Sequence, residues 1–383
     1  MNAILTAQER RTALVALIAG AFVAGVGFGA LHPLIALLLE ARGVDSALIG
    51  LNASLINGAI LIGGPFVPRI ARRLGAVRSL VLVIAVDVVL LLLYPNLQAY
   101  WTWCVLRFVG GLVGVLWWVI TESWINLLAD ERVRTRVVGF YTAAMSLGFA
   151  VGPAGVAELG IDGWRPWLLV LATLIVGAVP VLAVARAMPA VAHDDTIRAL
   201  ALVRRVPLVM VVAVAAGLAD FAIVGLLPLY GLERGLARPE AARMLTAFTL
   251  GNVVLQLPIA WVADKVSRRA ALVLCATVTV VCAALLPFAV DDRTALWAVL
   301  FVWGGTVFSF YMVALGMLGA SFRAAELIAA NAAFIVVYNV GGMLGPVGAG
   351  ALMDVLGPEG LPGLVGLAGA VIAGFAVTRR GRL

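Results

Sequence analysis

The sequence predicts an all-α membrane protein of twelve transmembrane helices in two pseudo-symmetric six-helix bundles, and three observations predict it. Apolar residues fill 63% of the 383 positions and charged residues only 12%. Soluble domains carry about twice that share of charge, so this chain cannot clothe itself in polar surface. Its apolar residues fall into twelve runs, each long enough to cross a hydrocarbon core, which takes about 17–25 residues. Short patterns in the first half also recur, in the same order, some 194 residues later.

The spans lie near 13–39, 46–68, 79–95, 100–124, 134–158, 166–186, 206–230, 240–262, 270–290, 295–319, 326–352 and 362–378. The first follows the basic pair Arg10-Arg11, as a signal peptide would. It is too long for one and has no small-residue cleavage site, so it reads as a spanning helix. Of the 27 Lys and Arg residues, twenty fall in one alternate set of connectors and termini, six in the other, and Arg107 inside a span. Basic connectors stay cytoplasmic, so both termini are expected in the cytoplasm of an inner (plasma) membrane protein.

The longest connector, 187–205, carries Arg204-Arg205 and divides the chain into bundles 1–186 and 206–383. It suits a cytoplasmic linker lying along the headgroups. WCVLRFVGG from Trp103 answers to WAVLFVWGG from Trp297, Gly152-Pro153 to Gly345-Pro346, Pro33 to Pro228, and Pro65 to Pro258. Two halves of six helices in the same orientation form a parallel repeat about an axis along the membrane normal.

The net charge of +7 is absorbed by this topology, which excludes a nucleic-acid role. Cys104, Cys275 and Cys282 sit within apolar runs, with no Cys-x-x-Cys and no Cys/His cluster. Neither a disulfide framework nor a metal site is expected. No phosphate-binding Gly-x-x-x-x-Gly-Lys loop occurs, so ATP is not the energy source. No catalytic constellation is present, and the chain is expected to be neither an enzyme nor dependent on a cofactor.

The repeat and its motifs resemble the major facilitator superfamily across nearly the whole chain. That family's loop after the second helix carries Gly, three residues, then Asp-Arg-x-Gly-Arg-Arg. The second half matches it with Asp264, Lys265, Arg268 and Arg269, and Ser267 replaces the glycine. The first half keeps Arg73 and Gly75 but has Arg72 in the acidic position. Arg107 before Gly110, Gly111 and Gly114 resembles the fourth-helix motif. Gly148-x-x-x-Gly152-Pro153-x-Gly155 resembles the fifth-helix motif of proton-exchanging exporters, with Gly341, Gly345 and Pro346 as its repeat. WWVITESWIN and the run after it resemble the YcaD-like branch.

The resemblance implies a secondary transporter, acting as a monomer, that moves a small organic solute by alternating access. Proton-coupled export is the leading form. Uptake or facilitated transport, and a non-transporting receptor or assembly factor on the same fold, are the alternatives.

Candidate residues follow from charge placed where it is costly. Asp87 and Arg107 lie ten residues either side of a turn near Leu97, which predicts equal depth and mutual pairing. A static pair that joins two helices is the plainer reading, and a proton or substrate site the functional one. Glu122, near the end of the fourth span, shares a helical face with Trp118 and Asn126. That face suits a cavity wall with Glu122 as a proton-coupling candidate or, equally, an interfacial belt with a snorkelling acid. Asp220 in the seventh span and His32 in the first lie on helices that line the central path in this superfamily. Burial disfavours the charged form of a carboxylate, and histidine titrates near neutral pH. Both are therefore proton-coupling candidates, although His32 before Pro33 also suits a kinked helix end. Tyr141, Asn57, Gln256, Tyr311, Tyr338 and Asn339 are candidate cavity residues, since a polar group in a span must find a partner. The glycine-proline motifs and the loop charges are assigned to gating.

Overall fold

Runs this long and apolar can cross a bilayer only by satisfying their own backbone, and helix does that within each segment. The computed structural model describes residues 6–129, 134–185, 205–322 and 324–378 and is helical almost throughout. The helices are α1 (Ala7–Glu40), α2 (Ser46–Gly63), α3 (Val67–Leu74), α4 (Ala76–Leu93), α5 (Tyr100–Leu128), α6 (Arg134–Leu159) and α7 (Arg165–Ala185). They continue as α8 (Pro207–Glu233), α9 (Arg238–Lys265), α10 (Arg268–Ala289), α11 (Arg293–Ser321), α12 (Ala324–Leu356) and α13 (Gly360–Thr378). All except the short α3 contribute to twelve helices long and apolar enough to cross a membrane. Of the 187–205 linker, only Arg205 lies among the described residues. There it meets Glu326 at 3.1 Å on an exposed surface.

The ends carry local stop and start signals. Gly75 closes α3 at φ 76°, a left-handed backbone that side chains other than glycine rarely take. Ser267 opens α10 by accepting the Ala270 N–H at 3.0 Å, and Asp292 caps α11 through Thr294 and Ala295.

The chain forms two compact units. Unit 1 comprises Met1–Leu34 and Ala59–His193, and unit 2 comprises Ile35–Gly58 and Asp194–Leu383, counted over the described residues. The break falls within α1, and the buried part of α2 travels with unit 2 although its sequence belongs to the first repeat.

In unit 1, α4 packs on α5 and α7. A core of Leu17, Leu80, Val83, Ile120, Trp124 and Val181 fills the space between helices. In unit 2, α8 lies along α12, α9 along α11, and α10 against α11 and α13. The core there runs through Leu272, Phe310, Leu318, Phe334 and Ile372.

Glycine sets the closest approaches. A Cβ at Gly148 would stand 2.0 Å from the Phe22 carbonyl oxygen, and at Gly25 and Gly29 2.3 Å from those of Met145 and Phe149. At Gly152 it would stand 2.4 Å from the Val26 oxygen. So α1 and α6 touch backbone to backbone. In unit 2 the distances are 1.9 Å from Gly217 to Tyr338, 2.0 Å from Gly341 to Val214 and 2.1 Å from Gly345 to Leu218, again to carbonyl oxygens. The motif glycines therefore clasp helix pairs inside one unit. Small residues four apart present a smooth strip to whichever backbone is nearest, and the sequence does not say which.

Candidate functional site

Unit 2 buries a carboxylate. Asp220, on α8, is 2% exposed, and its Oδ2 accepts the Tyr338 hydroxyl of α12 at 2.8 Å. Its Oδ1 is buried with no hydrogen-bond partner among the described residues. The glycine clasp makes this reach possible, because Gly217 sits one turn before Asp220 with its backbone on the Tyr338 carbonyl. Tyr338 packs edge-on to Tyr311 at 4.8 Å and tilted against Phe221 at 5.7 Å. Asn57, on the α2 segment belonging to this unit, is fully buried and donates to the Gly342 carbonyl at 3.2 Å. Its Oδ1 is left without a partner among the described residues. The sequence-predicted set Asp220, Tyr338, Tyr311 and Asn57 thus converges on one region, and Phe221 joins it unforeseen. Asn339 does not join: its amide donates one turn back to Ile335 at 2.8 Å. Gln256 is half-buried on α9, and none of its described contacts ties it to the cluster.

Unit 1 buries a cation. Arg107, on α5, is 3% exposed, and its Nε and Nη1 have no hydrogen-bond partner among the described residues. The expected pair with Asp87 does not form, since no salt bridge within 4.0 Å joins them. Counting from the turn near Leu97 sets the depth of the two residues and not the rotation of either helix, so groups of similar depth are free to face different neighbours.

Arg107 instead lies within electrostatic range of Tyr94 and His32. His32 Nδ1 meets the Phe28 carbonyl at 2.7 Å. A carbonyl can only accept, so Nδ1 donates and Nε2 is the free ring atom. The His32 ring lies 5.9 Å from Phe149, and Phe28 lies 5.3 Å from Trp118. Of the other tryptophans near Glu122, Trp117 and Trp124 belong to the core. Glu122 itself is exposed. Tyr141 is buried and shares a hydrogen bond with Thr121 at 3.2 Å. The Asn126 side chain lies outside the described residues. Phe28 and Phe149 escaped the sequence reading, although Gly25 and Gly29, spaced four apart on the first span, are the same small-residue signal as Gly148 and Gly152.

The gating candidates divide. Asp264 is largely exposed and meets Arg268 only at 3.9 Å. Arg268 donates to the Gly316 carbonyl at 2.7 Å and Arg269 to that of Ala376 at 2.5 Å, near the C-terminal ends of α11 and α13, where cations are favoured. Lys265 sits 4.0 Å over the Trp261 ring. Arg73 is exposed at the end of α3. Capping of a helix end by an acid is found at the opposite end of the spans. Asp354, on α12, accepts the Ser46 and Ala47 N–H groups, each at 3.0 Å, so one carboxylate caps the first turn of α2. Ser46 also donates to Glu233 at 2.9 Å. Gly50 and Gly350 allow this contact, with a Cβ at each falling 2.0 and 2.2 Å from the Pro346 and Ser46 carbonyl oxygens. Buried Pro346 therefore belongs to a contact between α2 and α12, and buried Pro153 has no such role among the described contacts.

Comparison with known proteins gives one family. The family model for the Major Facilitator Superfamily matches residues 17–243 and 209–382, so the chain belongs to that family. The MFS-type transporter YfkF of Bacillus subtilis is 25% identical over 342 residues, covering 87% of this chain and 86% of the relative. The MFS-type transporter YcaD of Salmonella enteritidis is also 25% identical over 342 residues, with 88% of each covered. Among solved structures, a mutant form of the nucleoside transporter NupG aligns with a TM-score of 0.80 at 12% identity, over 96% of this chain and all of that one. A bacterial homologue of the lysosomal transporter Spinster aligns at 0.74 and 12% identity, over 97% and 96%. At these identities the structural matches speak for the fold.

Proposed function

Because the chain belongs to the major facilitator superfamily, as a YcaD-like, multi-pass membrane transporter of a small-molecule substrate rather than an enzyme, we propose that it exports a small organic solute in exchange for protons. Asp220 carries the proton. The observation behind this reading is a carboxyl 2% exposed, with one oxygen bonded to Tyr338 and the other bonded to no described residue. Apolar surroundings penalise its charge and water relieves the penalty. A carboxyl that is alternately dry and hydrated as the repeats 1–186 and 206–383 exchange conformations loads a proton on one side and releases it on the other. The α6 motif Gly148-x-x-x-Gly152-Pro153 supports export. The distribution of Lys and Arg supports cytoplasmic termini in the plasma membrane, and one chain holds every group the mechanism needs.

The test is flux into proteoliposomes under an imposed pH gradient. Asp220→Asn should cut proton-driven flux on the order of a hundredfold, the scale of a lost proton-transfer group, while solute exchange at equal pH survives. Full proton-driven flux in that variant would remove Asp220 from the mechanism.

A further inference from the structure

Arg107 is unexplained by proton carriage. Its guanidinium cannot give up a proton at physiological pH, and no described residue forms a hydrogen bond or ion pair with it. Two of its nitrogens are sealed from solvent as well. Removing one partner of a buried ion pair is strongly destabilising because a bare charge is left behind. Here the bare charge is the native arrangement, and Asp87, the one acid on the neighbouring helix, forms no ion pair with it.

We infer that Arg107 is the recognition group for the anionic end of the substrate, and that the substrate class is a small organic monocarboxylate with a flat apolar body. One arginine matches one carboxylate, whose two oxygens suit the planar donors of a guanidinium. A doubly charged phosphate would call for a second cation, and none is described beside it. His32 is held by its Nδ1 bond to Phe28, so Nε2 stands as a second polar contact. His32 against Phe149 supplies aromatic surface for the body. Aromatic walls with a few placed polar groups are the usual make-up of a small-molecule site. An amide or an amine of the same shape would leave the guanidinium bare or repelled.

This inference rests on the transport reading, and its test is a binding measurement that needs no flux, so the two can fail separately. Benzoate, phenylacetate and indole-3-acetate, each beside its amide and its amine analogue, are added to the purified protein and melting temperature and tryptophan fluorescence are followed. The carboxylates are expected to raise the melting temperature and perturb the fluorescence, with the amides and amines inert. Arg107→Lys should weaken carboxylate binding at least tenfold, because the fork geometry is lost. Arg107→Met should abolish it while raising the melting temperature of the unliganded protein, since a bare buried charge has been removed. A structural arginine behaves oppositely: Arg107→Met lowers the melting temperature. That result overturns the inference, as does the absence of any shift specific to carboxylates, or a carboxylate shift that survives in Arg107→Met.

Discussion

In unit 1, α1 and α6 are locked by Gly25, Gly29, Gly148 and Gly152, and the group this unit buries is a cation, Arg107, bonded to no described side chain. In unit 2, α8 and α12 are locked the same way by Gly217, Gly341 and Gly345, and the buried group is a carboxyl, Asp220, held by Tyr338. The two clasps match each other, and the chemistry beside them does not. A backbone-to-backbone contact depends only on the absence of a Cβ, so it survives duplication unaltered. The side chains it brings together are free to diverge, and one fold acquired two different ionisable centres.

The comparison breaks most visibly at the glycines. Gly148→Val and Gly341→Val each drive a side chain into a carbonyl oxygen 2.0 Å away. Overpacking a well-packed site costs about 1–3 kcal/mol, and more where the obstacle is backbone. Both variants should therefore melt far below the parent in detergent. A severe loss at 341 with none at 148 would show that the clasps are not equivalent.

The centres themselves give a smaller contrast. Tyr338→Phe removes the 2.8 Å bond to Asp220 and should cost about 1.5 kcal/mol. Tyr94→Phe, the tyrosine nearest Arg107, loses no bond to a described residue and should shift stability by less than about 0.5 kcal/mol. Thermal melts of the two side by side sharpen the distinction between a bonded carboxyl and a bare cation, and equal losses would erase it.

The smallest contrast lies at the helix ends. Asp354→Ala frees two N–H groups of α2 and should cost about 1–2 kcal/mol. It should also raise the reactivity of a cysteine placed at Ala47. Asp264→Asn touches only an exposed contact at 3.9 Å and should change stability by less than about 0.5 kcal/mol. A larger loss at Asp264 than at Asp354 would reverse the assignment of the cap.

Some of this was legible in the sequence and some was not. Spans and repeat follow from composition and spacing, because crossing a bilayer leaves the chain little choice of structure, and the family follows from the resemblance of its motifs. Asp220, Tyr338 and Asn57 were visible as polar groups with no place in hydrocarbon. Their convergence was not, because residues on different helices meet only when crossing and rotation are known. The Asp87–Arg107 pair failed on rotation: counting from the turn predicts depth and does not say which way each side chain faces. Asp354 gave no warning, since its partners lie more than 300 positions away and an acid near the end of a span ordinarily reads as interfacial.

That distance has a consequence for how the protein is made. Ser46 leaves the ribosome 308 residues ahead of Asp354. At synthesis rates of about 5–20 residues per second, the first turn of α2 waits roughly 15–60 s for its cap. Until α12 enters the bilayer, α2 has neither its carboxylate nor the groove at Gly350 that receives it. The segment Ile35–Gly58 therefore joins its final neighbours as one of the last events of biogenesis, although it is among the first to be translated. A nascent chain halted short of α12 carries an unfinished helix that quality-control proteases can recognise.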